Sequence, residues 1–189
     1  MRSRVLCLFI VGVSLIALGA LSAIRQSHFR NIPLPVYGNV PAITLVDESG
    51  KQTSLASNEK QPWLLNLFYT SCDGPCPMTT ARLSQLQKEL PKIHFVSVSI
   101  DPNKDAPDKL LYYAHKFSAD LSRWSFLTGS EDVINKLIVE DLKMATRDNP
   151  QVHATKVMLV DSASRIRGLY DLQDEISIKK LKVDINRVD

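Results

Sequence analysis

The sequence predicts an α/β domain, a sheet flanked by helices, behind a single N-terminal transmembrane helix. Three observations carry that reading. Val5 to Ile24 is an uncharged run of twenty residues; between Trp63 and Ile138, apolar runs of strand length alternate with segments of helical period; and Cys72 and Cys76 stand where the first central strand gives way to its helix. A membrane segment and an exported domain follow as one expectation.

At the helical rise, twenty residues span about 30 Å, the thickness of a bilayer's hydrocarbon core. Arg2 and Arg4 precede the run, and only Ser14 and Ser22 interrupt its apolarity. The same features fit a signal peptide cut near Ser22, but the run is longer than an h-region and its small residues lie inside it, so residues 1–24 read as an uncleaved anchor. Residues 25–38, with Pro33, Pro35 and Gly38, read as a semi-extended tether. Residues 39–189 form the folded domain. Removing Arg2 and Arg4 from the 23 basic residues leaves 21 against 20 acidic ones, and a net charge of +1 gives no basic surface for nucleic acid. Three cysteines in 189 residues exclude a disulfide scaffold.

Within the domain, Ile43–Val46 and the run to Leu55, joined by Asp47-Glu48-Ser49-Gly50, predict an N-terminal hairpin. Trp63–Tyr69 is nearly unbroken in its apolarity, as in a strand covered on both faces. Pro77 takes a first-helical position, Leu83, Leu86 and Leu90 mark one face of the helix, and Pro91 ends it. Ile93–Ile100 is a second buried strand. Asp105 is placed to cap a helix carrying Leu110, Leu111, Ala114 and Phe117; Trp124–Leu127 is a short strand, and Ser130 is placed to cap a helix through Ile138. Lys156–Val160 and Ile166–Tyr170 form a second hairpin, and a helix from about Asp174 closes the chain. A cysteine motif at the first strand–helix junction narrows this order to a thioredoxin-like arrangement, whose reactive groups gather at strand carboxyl ends.

Cys72-Asp73-Gly74-Pro75-Cys76 is a CxxxC. Its two sulfurs can close a disulfide or share one soft metal ion, and the residues leave both open. An inert structural bridge is disfavoured, since a loop of three residues removes little chain entropy. The helix start beside Cys76 predicts a stabilised thiolate there, while Asp73 opposes one at Cys72. Cys7, within the apolar run and without small residues before it, reads as a lipid-facing side chain.

A metal would need a third ligand. His28 lies in the tether, His94 opens a strand and His115 sits on a helix. His153 stands in the loop before Lys156, where a thioredoxin carries its cis-proline, and no proline occurs from Gln151 to Leu159. Two thiolates and an imidazole suit Cu(I) better than structural zinc, which normally takes four protein ligands. Met78 could add a thioether; packing under the loop is its expected role.

Phe68-Tyr69-Thr70-Ser71-Cys72-Asp73-Gly74-Pro75-Cys76-Pro77 resembles the copper-site loop of the Sco/SenC family of membrane-anchored copper chaperones. Ser99–Pro107, leading on to Trp124–Gly129, and His153–Asp161 match the family in the same order. The resemblance implies a thioredoxin-like domain at the outer face of a membrane, binding copper through Cys72, Cys76 and His153. It further implies that the copper serves the CuA centre in subunit II of cytochrome c oxidase, or another exported copper protein, by delivery or by reduction of the recipient cysteines. Met1–Arg4 would then be cytoplasmic, and the domain periplasmic or otherwise extracytoplasmic. The enzyme-class alternative is a periplasmic thiol:disulfide oxidoreductase in which Cys72 and Cys76 cycle with a thioredoxin-like reductant. Two positions depart from the family: Asp73-Gly74 replaces the usual proline after the first cysteine, and Val152 replaces the acidic residue before the histidine.

Overall fold

The apolar runs become the central strands of one eight-stranded sheet. The computed structural model describes residues 12, 17–20, 33–56, 61–144 and 155–188. Its strands are β1 (Gly38–Asn39), β2 (Thr44–Asp47), β3 (Gln52–Ser54), β4 (Trp63–Phe68), β5 (His94–Ser99), β6 (Trp124–Thr128), β7 (Lys156–Val160) and β8 (Arg165–Asp171). Its helices are α1 (Pro75–Glu89), α2 (Pro107–Lys116), α3 (Glu131–Lys136) and α4 (Glu175–Ile185), with α3 running into a π-helical turn at Leu137–Asp141. Strand order is β1-β8-β7-β4-β5-β6-β2-β3. β4, β5 and β6 are parallel, and the flanking pairs are antiparallel.

Alternation along β4 sorts the core. Leu64 and Phe68 join the apolar face covered by Leu83 and Leu86 of α1, Leu110 and Ala114 of α2, and Ile178 and Leu181 of α4. Trp63, Leu65 and Leu67 face the other side, where Ile134 of α3 and Leu137 and Ile138 of the π turn cover them. Both faces of β4 are thus buried, which is why its sequence shows no polar stripe. The rings of Tyr113 and Phe126 meet that of Phe68 tilted and edge-to-face, with centroids 5.1 and 5.7 Å away.

Both predicted hairpins form, the first with Gly50 at φ +84°, a backbone conformation that glycine adopts without strain. Ser130 caps α3 by accepting from Val133 N–H, and Asp174 caps α4 by accepting from Ile176 and Ser177 N–H. Two expectations are corrected. Helix α1 starts at Pro75, with Gly74 as its cap residue, so Cys76 lies in the first turn instead of before it. Asp105 does not cap α2; Ala106 occupies that position, and the Asp105 side chain turns into the protein.

The chain divides into two units, Met1–Pro33 and Leu34–Asp189. In the first, Gly12 and residues 17–20 are helical. The rest of the predicted span, Cys7 included, lies outside the described residues, among which no helix is long and apolar enough to cross a membrane. In the second unit, Leu34 is buried in the domain and the segment to Gly38 is hydrogen-bonded to it, although the sequence reads these residues as tether. Arg167 is the reason: it donates to the Leu34 carbonyl at 2.6 Å and the Pro35 carbonyl at 3.2 Å, while β1 pairs with β8.

Candidate metal and thiol centre

Strand β4 ends at Phe68, whose carbonyl accepts from Ile100 N–H at 2.8 Å and extends the pairing with β5 past the strand end. The chain turns at once, with Cys72 N–H directed to the Tyr69 carbonyl, and enters α1 at Pro75. Cys72 therefore lies in a short loop at the carboxyl end of a central strand, and Cys76 in the first turn of the helix behind it. Both are free thiols. Both are buried, Cys72 at 7% exposure and Cys76 completely. Asp73 and Gly74 face solvent.

The two thiols are unequal. Burial pushes Cys72 up, but hydrogen bonds from the Cys76 thiol, the backbone N–H groups of Cys76 and Gly74, and the Tyr69 hydroxyl outweigh it and leave Cys72 below its ordinary 9.0. Burial, followed by the hydrogen bond to Cys72, pushes Cys76 up to about 12. The sequence reading had the order reversed. A helix start does favour a thiolate, yet at Cys76 desolvation dominates, and the donors of that first turn serve Cys72.

Tyr69 and Tyr113 were not singled out in the sequence. The hydrogen bond to Cys72 raises the Tyr69 phenol, and burial raises Tyr113 to about 12. Tyr113 lies 3.1 Å from the Thr80 hydroxyl, which donates to the Cys76 carbonyl at 2.9 Å and braces the start of α1. Met78 is 57% exposed and does not pack under the loop. Among the other histidines, His94 is partly buried and shifted down by burial and by Arg123, and His115 is exposed. His28 and His153 lie outside the described residues. Among the described residues no group of three His, Cys, Asp or Glu side chains is placed to hold a metal ion.

Asp105, read from sequence as a helix cap, belongs to this end of the sheet. Its carboxylate is fully buried and accepts from Thr70 N–H at 2.9 Å and from the Thr70 and Ser99 hydroxyls at 2.5 Å each. Two buried, mutually hydrogen-bonded sulfurs, one on the loop and one in the first turn of α1, form a donor pair fit for a soft metal ion or for reversible disulfide closure.

Comparison with known proteins decides the family. The SCO1/SenC family model matches residues 39–188. The chain belongs to the SCO1/SenC family. The SCO1 protein homolog of Bacillus subtilis (strain 168) is 28% identical over 151 residues, which cover 75% of this chain and 78% of that one. A SCO1/SenC family lipoprotein from Bacillus anthracis superposes with a TM-score of 0.73 at 25% identity, covering 82% of this chain and 96% of the other. BsSco, a cytochrome c oxidase assembly protein in which a disulfide switch was identified, gives 0.69 at 26% identity over 82% and 97%. Bradyrhizobium japonicum ScoI, solved with copper bound, shares the fold, with a TM-score of 0.61 at 23% identity over 77% and 98%. The Sco-type thioredoxin-like fold expected from the sequence is therefore established for this domain.

Proposed function

We propose that this SCO1/SenC protein is a membrane-anchored copper-binding assembly factor that holds Cu(I) through Cys72, Cys76 and His153. On this reading it delivers the metal to, or reduces the cysteines of, the CuA site of cytochrome c oxidase subunit II. The observation that carries the reading is the pair of free, buried thiols just past the carboxyl end of β4, joined by a hydrogen bond. Thiolate pairs prefer Cu(I) to harder cations, and a third ligand completes a trigonal site. The antiparallel register of β7 on β4, with Asn66 opposite Val157, supports His153 in that role. That register sets the first residues of β7 beside the carboxyl end of β4, which leads to Cys72, and Thr155 is two residues from the histidine in sequence. Residues 1–24 would hold the domain at the outer face of the membrane.

The disulfide switch identified in BsSco supports a second reading, thiol:disulfide exchange. Here the Cys72 thiolate attacks a partner's disulfide and one partner sulfur leaves as thiolate. The Cys76 sulfur, once deprotonated, then attacks Cys72 and releases the second, leaving the partner reduced and this chain oxidised until a dithiol reductant restores it.

Copper loading separates the two. Full-length protein reconstituted with Cu(I) under reducing conditions should bind the metal stoichiometrically, and Cys72→Ser, Cys76→Ser and His153→Ala should each lose it. Equal copper content and affinity in His153→Ala would remove the three-ligand model. Reductase activity retained in that variant would then select thiol exchange.

A further inference from the structure

Asp105 stands one residue before the cap position of α2, in a sequence that reads as a capping site, and yet it caps nothing. Ala106 takes the cap position with extended backbone (φ −67°, ψ 159°) and no side chain to offer the helix. A carboxylate withdrawn from water is tolerated only where donors surround it, and here two of its three donor bonds come from Thr70, at the start of the cysteine loop. Thr70 gives both its N–H and its hydroxyl, and Ser99 gives its hydroxyl while accepting from Asp101 N–H at 3.1 Å. The carboxylate thereby joins the carboxyl ends of β4 and β5 to the start of α2.

The position of Thr70 gives this contact its consequence. Only Ser71, Cys72 and Asp73 separate Thr70 from Gly74, the residue that opens α1. A loop clamped at Thr70 and at a helix start has little freedom, and Cys72 is its middle residue. Asp73-Gly74 supplies no stiffness of its own, so the constraint has to come from the ends.

We propose that Asp105 is a positioning residue for Cys72, acting through Thr70 to hold the Cys72 sulfur where it meets that of Cys76. The proposal rests on the dithiol reading above but not on which of its two chemistries prevails. Both disulfide closure and shared metal binding require the sulfurs to be held together, and loosening the clamp weakens both by lowering their effective concentration.

The test uses the full-length chain in detergent micelles and three variants. Asp105→Asn keeps the size of the side chain but cannot satisfy all three donors as a carboxylate does; Thr70→Val removes one hydroxyl at constant shape; Thr70→Ser restores it. Two quantities are read beside thermal stability. One is Cu(I) affinity in competition with a chromogenic chelator. The other is the metal-free dithiol–disulfide equilibrium in glutathione buffers, scored by mass spectrometry of the peptide carrying Cys72 and Cys76. Asp105→Asn and Thr70→Val should weaken copper binding about tenfold or more, the scale typical of removing a hydrogen bond behind a ligand. They should move the midpoint potential upward by about 30 mV for each tenfold loss of disulfide stability. Thr70→Ser should return both to wild type. If the variants lower only the melting temperature, with affinity and potential unchanged, Asp105 is a core residue and the proposal falls. If Asp105→Asn does not fold, the Thr70 pair decides alone. Should wild type bind no Cu(I), the copper reading fails while the potential still decides for or against Asp105.

Discussion

Asp161 and Asp105 are both fully buried, at two ends of one sheet, and their partners differ in kind. Asp161 takes Arg167 Nη1 at 2.7 Å, Arg165 Nε at 2.8 Å and the N–H groups of Ala163 and Arg165, closing the β7–β8 turn. Through Arg167 it also holds Leu34 and Pro35. Asp105 takes two hydroxyls and one peptide N–H and has no cation among its hydrogen-bond partners. The ionic arrangement fastens scaffold to scaffold. The other, whose donors are all uncharged, reaches a reactive loop without bringing in a positive charge, which would favour thiolate over thiol at both cysteines. Stability and thiol chemistry should therefore respond to different substitutions.

Breaking the ionic end should produce the largest loss. Arg167→Met leaves Asp161 buried with only Arg165 and two N–H donors, and frees the Leu34 and Pro35 carbonyls. The expected cost is about 3–5 kcal/mol in guanidinium unfolding of the full chain. The reactivity of native Cys72 toward iodoacetamide should not move, and a change in step with stability would join the two ends into one unit. Acid provides an independent handle. Burial pushes Asp161 up, but its bonds to Arg167 and Arg165 hold it below 3.8; Asp184 is likewise lowered, against burial, by Lys180, Tyr170 and Arg187. Stability from such groups is fully present above the unfolded-state value and is lost as pH falls through the folded one. Melting temperature should accordingly drop below about pH 4, and less steeply in Arg167→Met.

The thiol end sharpens the contrast in the opposite direction. Limited iodoacetamide treatment near neutral pH, followed by peptide mapping, should modify Cys72 well before Cys76, because Cys72 lies below 9.0 and Cys76 at about 12 behind it. Modification of Cys76 first, in protein whose melting temperature is unchanged, would contradict the assigned order of acidity.

Much of this was legible in the sequence. Buried strands announce themselves by unbroken apolarity, as at Trp63–Phe68, and the cysteines stand out at a strand–helix junction. Contacts between residues remote in sequence leave no local trace: Arg167 reaches Leu34 across 133 positions, and Asp105 reaches Thr70 across 35. The π turn at Leu137–Asp141 was hidden because its buried Leu137 and Ile138 satisfy an α-helical period equally well. The order of the two thiols was misread for a related reason. A helix start is visible in sequence, but the depth at which a side chain is buried is not, and burial decided the matter at Cys76.

The smallest expected effect lies where the two roles of Asp105 compete. Ser130 accepts from Val133 N–H and caps α3, whereas the alanine at the corresponding place on α2 leaves that helix without a side-chain cap. Ala106 is exposed and already has the extended backbone that a cap residue needs, so Ala106→Ser can add the missing bond without displacing Asp105. The expected gain is about 1 kcal/mol in chemical denaturation, close to the loss expected for Ser130→Ala. Copper affinity and dithiol potential should stay at wild-type values, since nothing touching Thr70 changes. A serine at 106 that stabilised nothing would mean that α2 is already satisfied by other donors or by water, and that turning Asp105 inward sacrificed no cap. A gain in stability with an unchanged thiol potential would instead locate the cost of aiming Asp105 at the cysteine loop in the uncapped turn of α2.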